Sequence, residues 1–264
     1  MPEPRPHPAW VTAHFTLAEL LACLDVSMDG APRIEVVSLP SSHEGILGAQ
    51  LLGQAVSASE SATPGKVVAR LSMSFLRPSR AELPVRVGLR HLSNGRRVAV
   101  AELDFEQQGK LVARAEALLD LAGDEVDLIG TDVEVSGTPT ARALWPWEAM
   151  VPADDPNPGA VWSRVPLPSL TPRASRSLLA YATEPLTVPL FIDQLGLRER
   201  GGEIPQAVLA HSITFGAAFD AGRWHLHRPE CVGQRGQTVT GRGVVLDGSG
   251  RCVATTETVA SVEL

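Results

Sequence analysis

The apolar positions of this chain switch between two periods. Leu17-Ala-Glu-Leu-Leu-Ala-Cys-Leu24 has helical spacing, with Thr16 as N-cap and Glu19 three residues on, the pattern of a capping box. Arg33 to Leu39 is rich in β-branched residues and predicts a strand. Pro40-Ser-Ser then leads into a helix predicted from Gly45 to about Ser59. Leu47, Leu51 and Val56 make its apolar stripe, while Gln50, Gln54 and Ser57 line another face. Gly45, Gly48 and Gly53 each weaken a helix by about 1 kcal/mol against alanine, so their use there predicts close approach to a curved sheet. Alternation takes over next, giving strands at Val67–Leu76, Leu83–Leu92, Arg96–Glu106 and Lys110–Leu119. Ser93-Asn94-Gly95 marks one hairpin and Gln107-Gln108-Gly109 another.

Residues 121–160 break this pattern. Asp124, Asp127 and Asp132 lie among Gly and Pro, and Asp154-Asp-Pro-Asn-Pro-Gly159 follows, so the stretch reads as a linker anchored by Trp145, Trp147 and Met150. The earlier order then returns: a strand at Val161–Val165, a helix from about Ser175, and strands near 206–217, 223–231, 237–247 and 251–262. Short echoes support a duplication. Gly109-Lys-Leu-Val-Ala-Arg-Ala-Glu116 recurs as Gly250-Arg-Cys-Val-Ala-Thr-Thr-Glu257, 141 positions on, and Ser72-Met-Ser-Phe75 recurs as Ser212-Ile-Thr-Phe215, 140 positions on. A period this long excludes a solenoid. The expected architecture is α+β, a tandem or double hotdog, with two antiparallel sheets each wrapped around a long central helix. Its expected parts are a disordered leader (1–15), an N-terminal hotdog (16–120), the linker (121–160) and a C-terminal hotdog (161–264).

Composition narrows the function. With 44% hydrophobic and 20% charged residues over 264 positions, the chain has material for a sizeable core. A net charge of −7 argues against a nucleic-acid partner, which needs a basic face. No apolar run reaches the length of a membrane span, and the N-terminal Met-Pro-Glu-Pro-Arg-Pro lacks a signal peptide's apolar centre. Cys23, Cys231 and Cys252 match no zinc template, and their odd number suits free thiols in a cytoplasmic protein.

Three segments of the first half carry a family resemblance: Gly45-Ile-Leu-Gly-Ala-Gln-Leu-Leu-Gly-Gln-Ala55, Ser72-Met-Ser-Phe-Leu-Arg-Pro78 and His91-Leu-Ser-Asn-Gly-Arg96. They resemble the TesB-like acyl-CoA thioesterases. Leu178-Leu-Ala-Tyr-Ala-Thr-Glu184, Leu209-Ala-His-Ser212 and Arg242-Gly243 are similar more faintly. The resemblance implies cofactor-free hydrolysis of an acyl-CoA, with an Asp, a Thr and a Gln of the second hotdog activating water. Those positions fall here on Glu184, Val208 and Thr258. The carboxylate survives one methylene longer, Val208 cannot bind water, and Thr258 has a shorter reach that needs help from His211, Ser212 or Thr256. Pro185 directly after Glu184 predicts a kink there.

The expected catalytic set is therefore Glu184 as base, with Thr258 and His211 as polar partners. Further candidates are more open. His43-Glu44 stands before the first long helix, where free N–H groups attract an oxyanion; for Glu44 a solvated charge favoured by the helix dipole is preferred over a catalytic carboxylate. Gln50 and Gln54 either face the substrate groove or form the helix's polar side. Arg77 meets a CoA phosphate or sits at the surface. His225 and His227 share one strand face, but no third metal ligand accompanies them. Asp155-Pro-Asn-Pro158 resembles the opening of the hotdog hydratases, but Ala160 stands where they need a His. Two functions follow from different classes: an acyl-CoA thioesterase that needs no cofactor or metal, and a hotdog that binds an acyl ligand without cleaving it. A homodimer is expected in either case.

Overall fold

The computed structural model describes residues 15–40, 45–123, 133–142, 144–194, 196, 206–216 and 219–262. The expected leader lies outside these except for Phe15, which is buried beside Leu20 and Leu24. Helix α1 (Leu17–Leu24) starts on the expected capping box, with Thr16 and Glu19 bonding each other's backbone N–H. Strand β1 (Arg33–Val36) leads to α2 (Gly48–Ala62), followed by β2 (Lys66–Phe75), β3 (Val85–Asn94), β4 (Ala99–Gln107) and β5 (Lys110–Leu121). After β6 (Gly137–Thr140), β7 (Glu148–Pro152) and β8 (Val161–Arg164) come α3 (Pro172–Thr183), a 3₁₀ turn (Glu184–Leu186) and α4 (Thr187–Gln194). Strands β9 (Gln206–Phe215), β10 (His225–Arg235), β11 (Thr238–Asp247) and β12 (Cys252–Val262) close the chain.

The two expected sheets are joined into one antiparallel sheet of 12 strands, ordered β1-β3-β4-β5-β2-β9-β12-β11-β10-β8-β7-β6. The join is β2 against β9, where Ser72 pairs with Ser212, Leu71 with Ile213 and Met73 with His211. Ser72 and Ser212 are the residues that head the sequence echo. The duplicated units therefore meet at equivalent residues, as a pseudo-twofold arrangement requires. The β4–β5 turn has Gln108 and Gly109 both at positive φ (51° and 73°), the geometry of a two-residue hairpin that follows strand twist. In the equivalent β11–β12 turn, Asp247 replaces part of that backbone geometry by accepting from Ser249 and Arg251.

Helix α2 departs from expectation. It starts at Gly48 rather than Gly45, and every residue from Ala49 to Glu60 is buried, so it has no solvated polar side. Its core neighbours include Leu71, Leu103, Phe105 and Leu119 from the sheet. The close approach seen at Gly53 is to other helices: a Cβ there would stand 2.7 Å from Leu24 and 2.9 Å from the Ser177 carbonyl oxygen on α3. The segment expected as linker carries β6 and β7, which extend the sheet beyond β8. Pro139 is accommodated because β6 is the edge strand.

Candidate active site

Helix α3 brings Glu184 to the beginning of α2. The helix starts with Thr171 as N-cap, its hydroxyl accepting from Ala174 N–H, and Pro172 at the first turn. At the other end Glu184 keeps α-helical geometry (φ −69°, ψ −46°) despite Pro185. The chain tightens there into the 3₁₀ turn and resumes as α4, so the expected break is a change of pitch. Thr187 Oγ donates to the Glu184 carbonyl and helps hold this turn.

The start of α2 has no side-chain cap of its own, because Leu47 occupies the N-cap. The Glu184 carboxylate supplies one from the other half of the molecule, accepting from Ala49 N–H. A Cβ on Gly48 would stand 3.0 Å from Glu184 Oε1 and 2.9 Å from the Phe75 ring at the end of β2. Glycine at 48 thus keeps bare backbone beside the carboxylate. Glu184 is 8% exposed, and among the described residues no Lys or Arg pairs with it. Burial pushes its carboxyl up to about 7, and the Ala49 N–H offsets only part of that.

The opposite end of the helix pair makes an instructive contrast. Glu60 stands as far beyond the N-cap Leu47 as Glu184 stands beyond Thr171. Glu60 is equally buried, yet Arg176 grips it with Nε to Oε1 at 2.6 Å and Nη2 to Oε2 at 2.7 Å, and Val68 N–H adds a third bond. One of the two corresponding carboxylates is neutralised and the other is not. Neither Glu60 nor Arg176 stood out in the sequence; their signal is this shared position along the two helices.

Thr258 and His211 do come together. They face each other across β12 and β9, with His211 Nδ1 2.9 Å from Thr258 Oγ. His211 Nε2 lies 3.1 Å from Thr183 Oγ, whose proton goes to the Ala180 carbonyl at 3.1 Å. A hydroxyl has one proton, so Thr183 accepts from Nε2–H and Thr258 donates to Nδ1. Burial holds His211 down to about 3, so the ring is neutral. This hydrogen-bonded chain ends at Thr183, the residue next to Glu184. Val208, half-buried beside Val188 and Phe191, adds no polar group.

The remaining candidates separate. His43 and Glu44 lie outside the described residues. Gln50 is a correction: its Oε1 accepts from Leu39 N–H and Cys23 Sγ, and its Nε2 donates to the Leu39 carbonyl. The amide is fully buried and clamps the chain after β1 to α2 instead of facing a groove. Gln54 does similar work, donating to the Cys23 and Val37 carbonyls. Arg77 is exposed and donates to the Leu111 carbonyl, two residues after Phe75. His225 and His227 are both buried, and no cluster of three metal-ligating side chains occurs among the described residues. Two grooves of about 430 and 650 Å³ run over the β2–β9 join, lined in part by Arg70, Ser212 and Glu257; Glu184 lines neither.

A helix pair enclosed by one continuous antiparallel sheet built from two similar units is the double-hotdog fold. Comparison with known proteins places it more narrowly. Residues 38–119 match the acyl-CoA thioesterase N-terminal domain family. Among solved structures, the chain is similar to the acyl-CoA thioesterase II TesB2 of Mycobacterium marinum, with a TM-score of 0.78 and 20% identity over 93% of this chain and 97% of that one. The tesB protein of Mycobacterium avium subs paratuberculosis is similar at a TM-score of 0.76 and 19% identity, over 94% of this chain and 100% of that one. A hot dog fold protein of unknown function from Alicyclobacillus acidocaldarius gives 0.72 and 16%, over 93% and 98%. No curated protein matches the sequence. Its first unit is thus similar to that family's N-terminal domain, and the whole has the double-hotdog fold of the thioesterase II structures. No described helix is long and apolar enough to cross a membrane.

Proposed function

We propose that the chain hydrolyses acyl-CoA thioesters to the free acid and CoA, with Glu184 as general base. The observation that carries this is a buried carboxylate with no cation partner among the described residues, pushed up to about 7, at the start of a helix. A base is most useful when its pKa lies near the working pH. Glu184 takes a proton from water, and the hydroxide forms its bond to the thioester carbonyl carbon. The C–S bond then breaks, and the proton held by Glu184 passes to the leaving thiolate. Gly48, bare beside the carboxylate, offers its N–H to the carbonyl oxygen, where the helix dipole favours the developing negative charge. Arg77, just past the same end of β2, binds a CoA phosphate.

In this reading His211 and Thr258 are positioning residues. A neutral ring that burial holds down to about 3 is too weak a base to take a proton from water at neutral pH. Its bonds instead fix Thr183 and so the turn carrying Glu184. The three free cysteines suit the reducing cytoplasm, where the chain acts as a homodimer.

A second reading has support of its own. The bond from Ala49 N–H makes Glu184 a helix cap, and Val208 offers no hydrogen bond to water, as in a module that binds acyl ligands without cleaving them. Release of CoA from medium-chain acyl-CoA, followed with a thiol reagent, separates the two. Hydrolysis predicts turnover by the wild type that Glu184→Ala abolishes. Binding alone predicts thermal stabilisation by acyl-CoA with no thiol released by either protein.

A further inference from the structure

Around Trp145, three side-chain N–H groups lack partners among the described residues. Arg142 and Trp145 belong to one turn, closed by Trp145 N–H on the Arg142 carbonyl at 3.0 Å. The Trp145 ring stacks on Trp147 with centroids 5.5 Å apart and tilts against His227 at 5.2 Å. Arg142 Nε, Trp147 Nε1 and His227 Nδ1 are each buried with no hydrogen-bond partner. Such orphaned groups are uncommon in folded proteins, because each forfeits its water on burial.

The proton on His227 can be placed. Its Nε2 lies 2.9 Å from Ser163 Oγ, and the Ser163 hydroxyl has no other acceptor among the described residues. The hydroxyl therefore donates to Nε2, which leaves Nδ1 as an N–H donor. His227 is 2% exposed, and burial together with neighbouring His225 and Arg142 holds it down to about 3, so this ring is neutral. Arg142 is the charged member. It is half-buried, forms no ion pair among the described residues, and burial alone lowers its pKa. A cation in such surroundings is normally matched by an anion.

We propose that Arg142, Trp147 and His227 form a carboxylate-binding site. Three N–H donors and a single positive charge suit a monoanion, and the aromatic walls suit a flat group that sheds water more readily than a phosphate dianion. The site lies beside α3: Trp147 packs edge-on to Tyr181 at 5.9 Å, and Tyr181 is one helical turn before Glu184. The Tyr181 hydroxyl is already committed to the Leu144 carbonyl at 2.7 Å, so it does not compete for the anion. The carboxylate is either that of a free small acid or the far end of an acyl chain.

The test is tryptophan fluorescence titrated with sodium butyrate, with sodium chloride holding ionic strength constant. A saturable change is expected in the wild type, weakened at least about tenfold in Arg142→Met, as loss of a charged hydrogen-bonding partner implies. Trp147→Phe should weaken it severalfold. Without butyrate, Arg142→Met should melt no lower than the wild type, because the charge it removes has no partner. A melting temperature well below wild type would make Arg142 structural and overturn the site. So would a wild-type signal that never saturates, or one that Arg142→Met leaves unchanged. Glutaryl-CoA against butyryl-CoA, both in a Glu184→Gln background, separates the two sources. Tighter binding of glutaryl-CoA that Arg142→Met removes assigns the carboxylate to the acyl chain; equal binding of the two esters, with butyrate saturable, assigns it to a free acid. The butyrate titration does not involve Glu184, so it can fail without touching the hydrolase reading, and the converse holds.

Discussion

Replacing Glu184 by glutamine should stabilise the protein while removing its activity, and the size of the stabilisation should depend on pH. The glutamine amide oxygen can still accept from Ala49 N–H, so the change removes mainly the titrating charge. The folded carboxyl titrates at about 7 against 4.5 for its ordinary value, so the folded state holds its proton to higher pH than the unfolded chain does. The contribution of Glu184 to stability is therefore fully present below 4.5 and is lost as pH rises through about 7. At about 1.4 kcal/mol per pKa unit, the loss grows from about 1 kcal/mol at pH 5 to about 3 kcal/mol at pH 8. Buried His211, His225 and His227 are all shifted downward and destabilise the fold in acid, but both proteins share them and the comparison cancels them. Urea denaturation of wild type and Glu184→Gln at both pH values measures the gap. A gap independent of pH, or one that narrows toward pH 8, would refute the reasoning.

Three other perturbations test the geometry. Gly48→Ala places a methyl group against Phe75 and Glu184 Oε1, and displacing the carboxylate by even 1 Å should lower kcat by roughly 10- to 100-fold in the thiol-release assay. Arg176→Met strands buried Glu60 and should cost about 3–5 kcal/mol in urea denaturation, much of it recovered by adding Glu60→Leu. The double variant should keep wild-type turnover, since Glu60 lies at the silent end; a large loss would move the active carboxylate there. Thr258→Val leaves His211 Nδ1 without a partner and should cost about 1–3 kcal/mol in the same denaturation, with kcat falling more than KM changes if the hydrogen-bonded chain positions Glu184.

Much of the architecture was legible because it depends on local pattern. The capping box at Thr16, the hairpin at Gln108-Gly109 and the strand alternation each act within a few residues. The echo of Ser72 at Ser212 went further, since these residues pair at the join of the two units. What escaped was satisfaction at a distance. Gln50 and Gln54 looked like a polar face because sequence does not distinguish a solvated amide from one clamped to the Leu39 or Val37 backbone. Strands β6 and β7 were hidden by Gly and Pro, which an edge tolerates and a central strand does not. At the site, the sequence picked out Glu184 with His211 and Thr258. It did not show that Glu184 caps a helix of the other unit, nor that Arg176 neutralises its counterpart Glu60. Both depend on how two distant helices cross at Gly53 and Ser177.

The central claim is that Glu184 acts as a base whose titration governs hydrolysis, and the pH dependence of kcat/KM for a medium-chain acyl-CoA tests it most directly. The active form is the carboxylate, so the wild-type rate should climb about tenfold per pH unit below about 7 and level off above it. Glu184→Gln should lie about 10²- to 10⁴-fold lower and show no such rise. A wild-type profile that is flat through neutrality, or a variant that keeps the rise, would contradict the account.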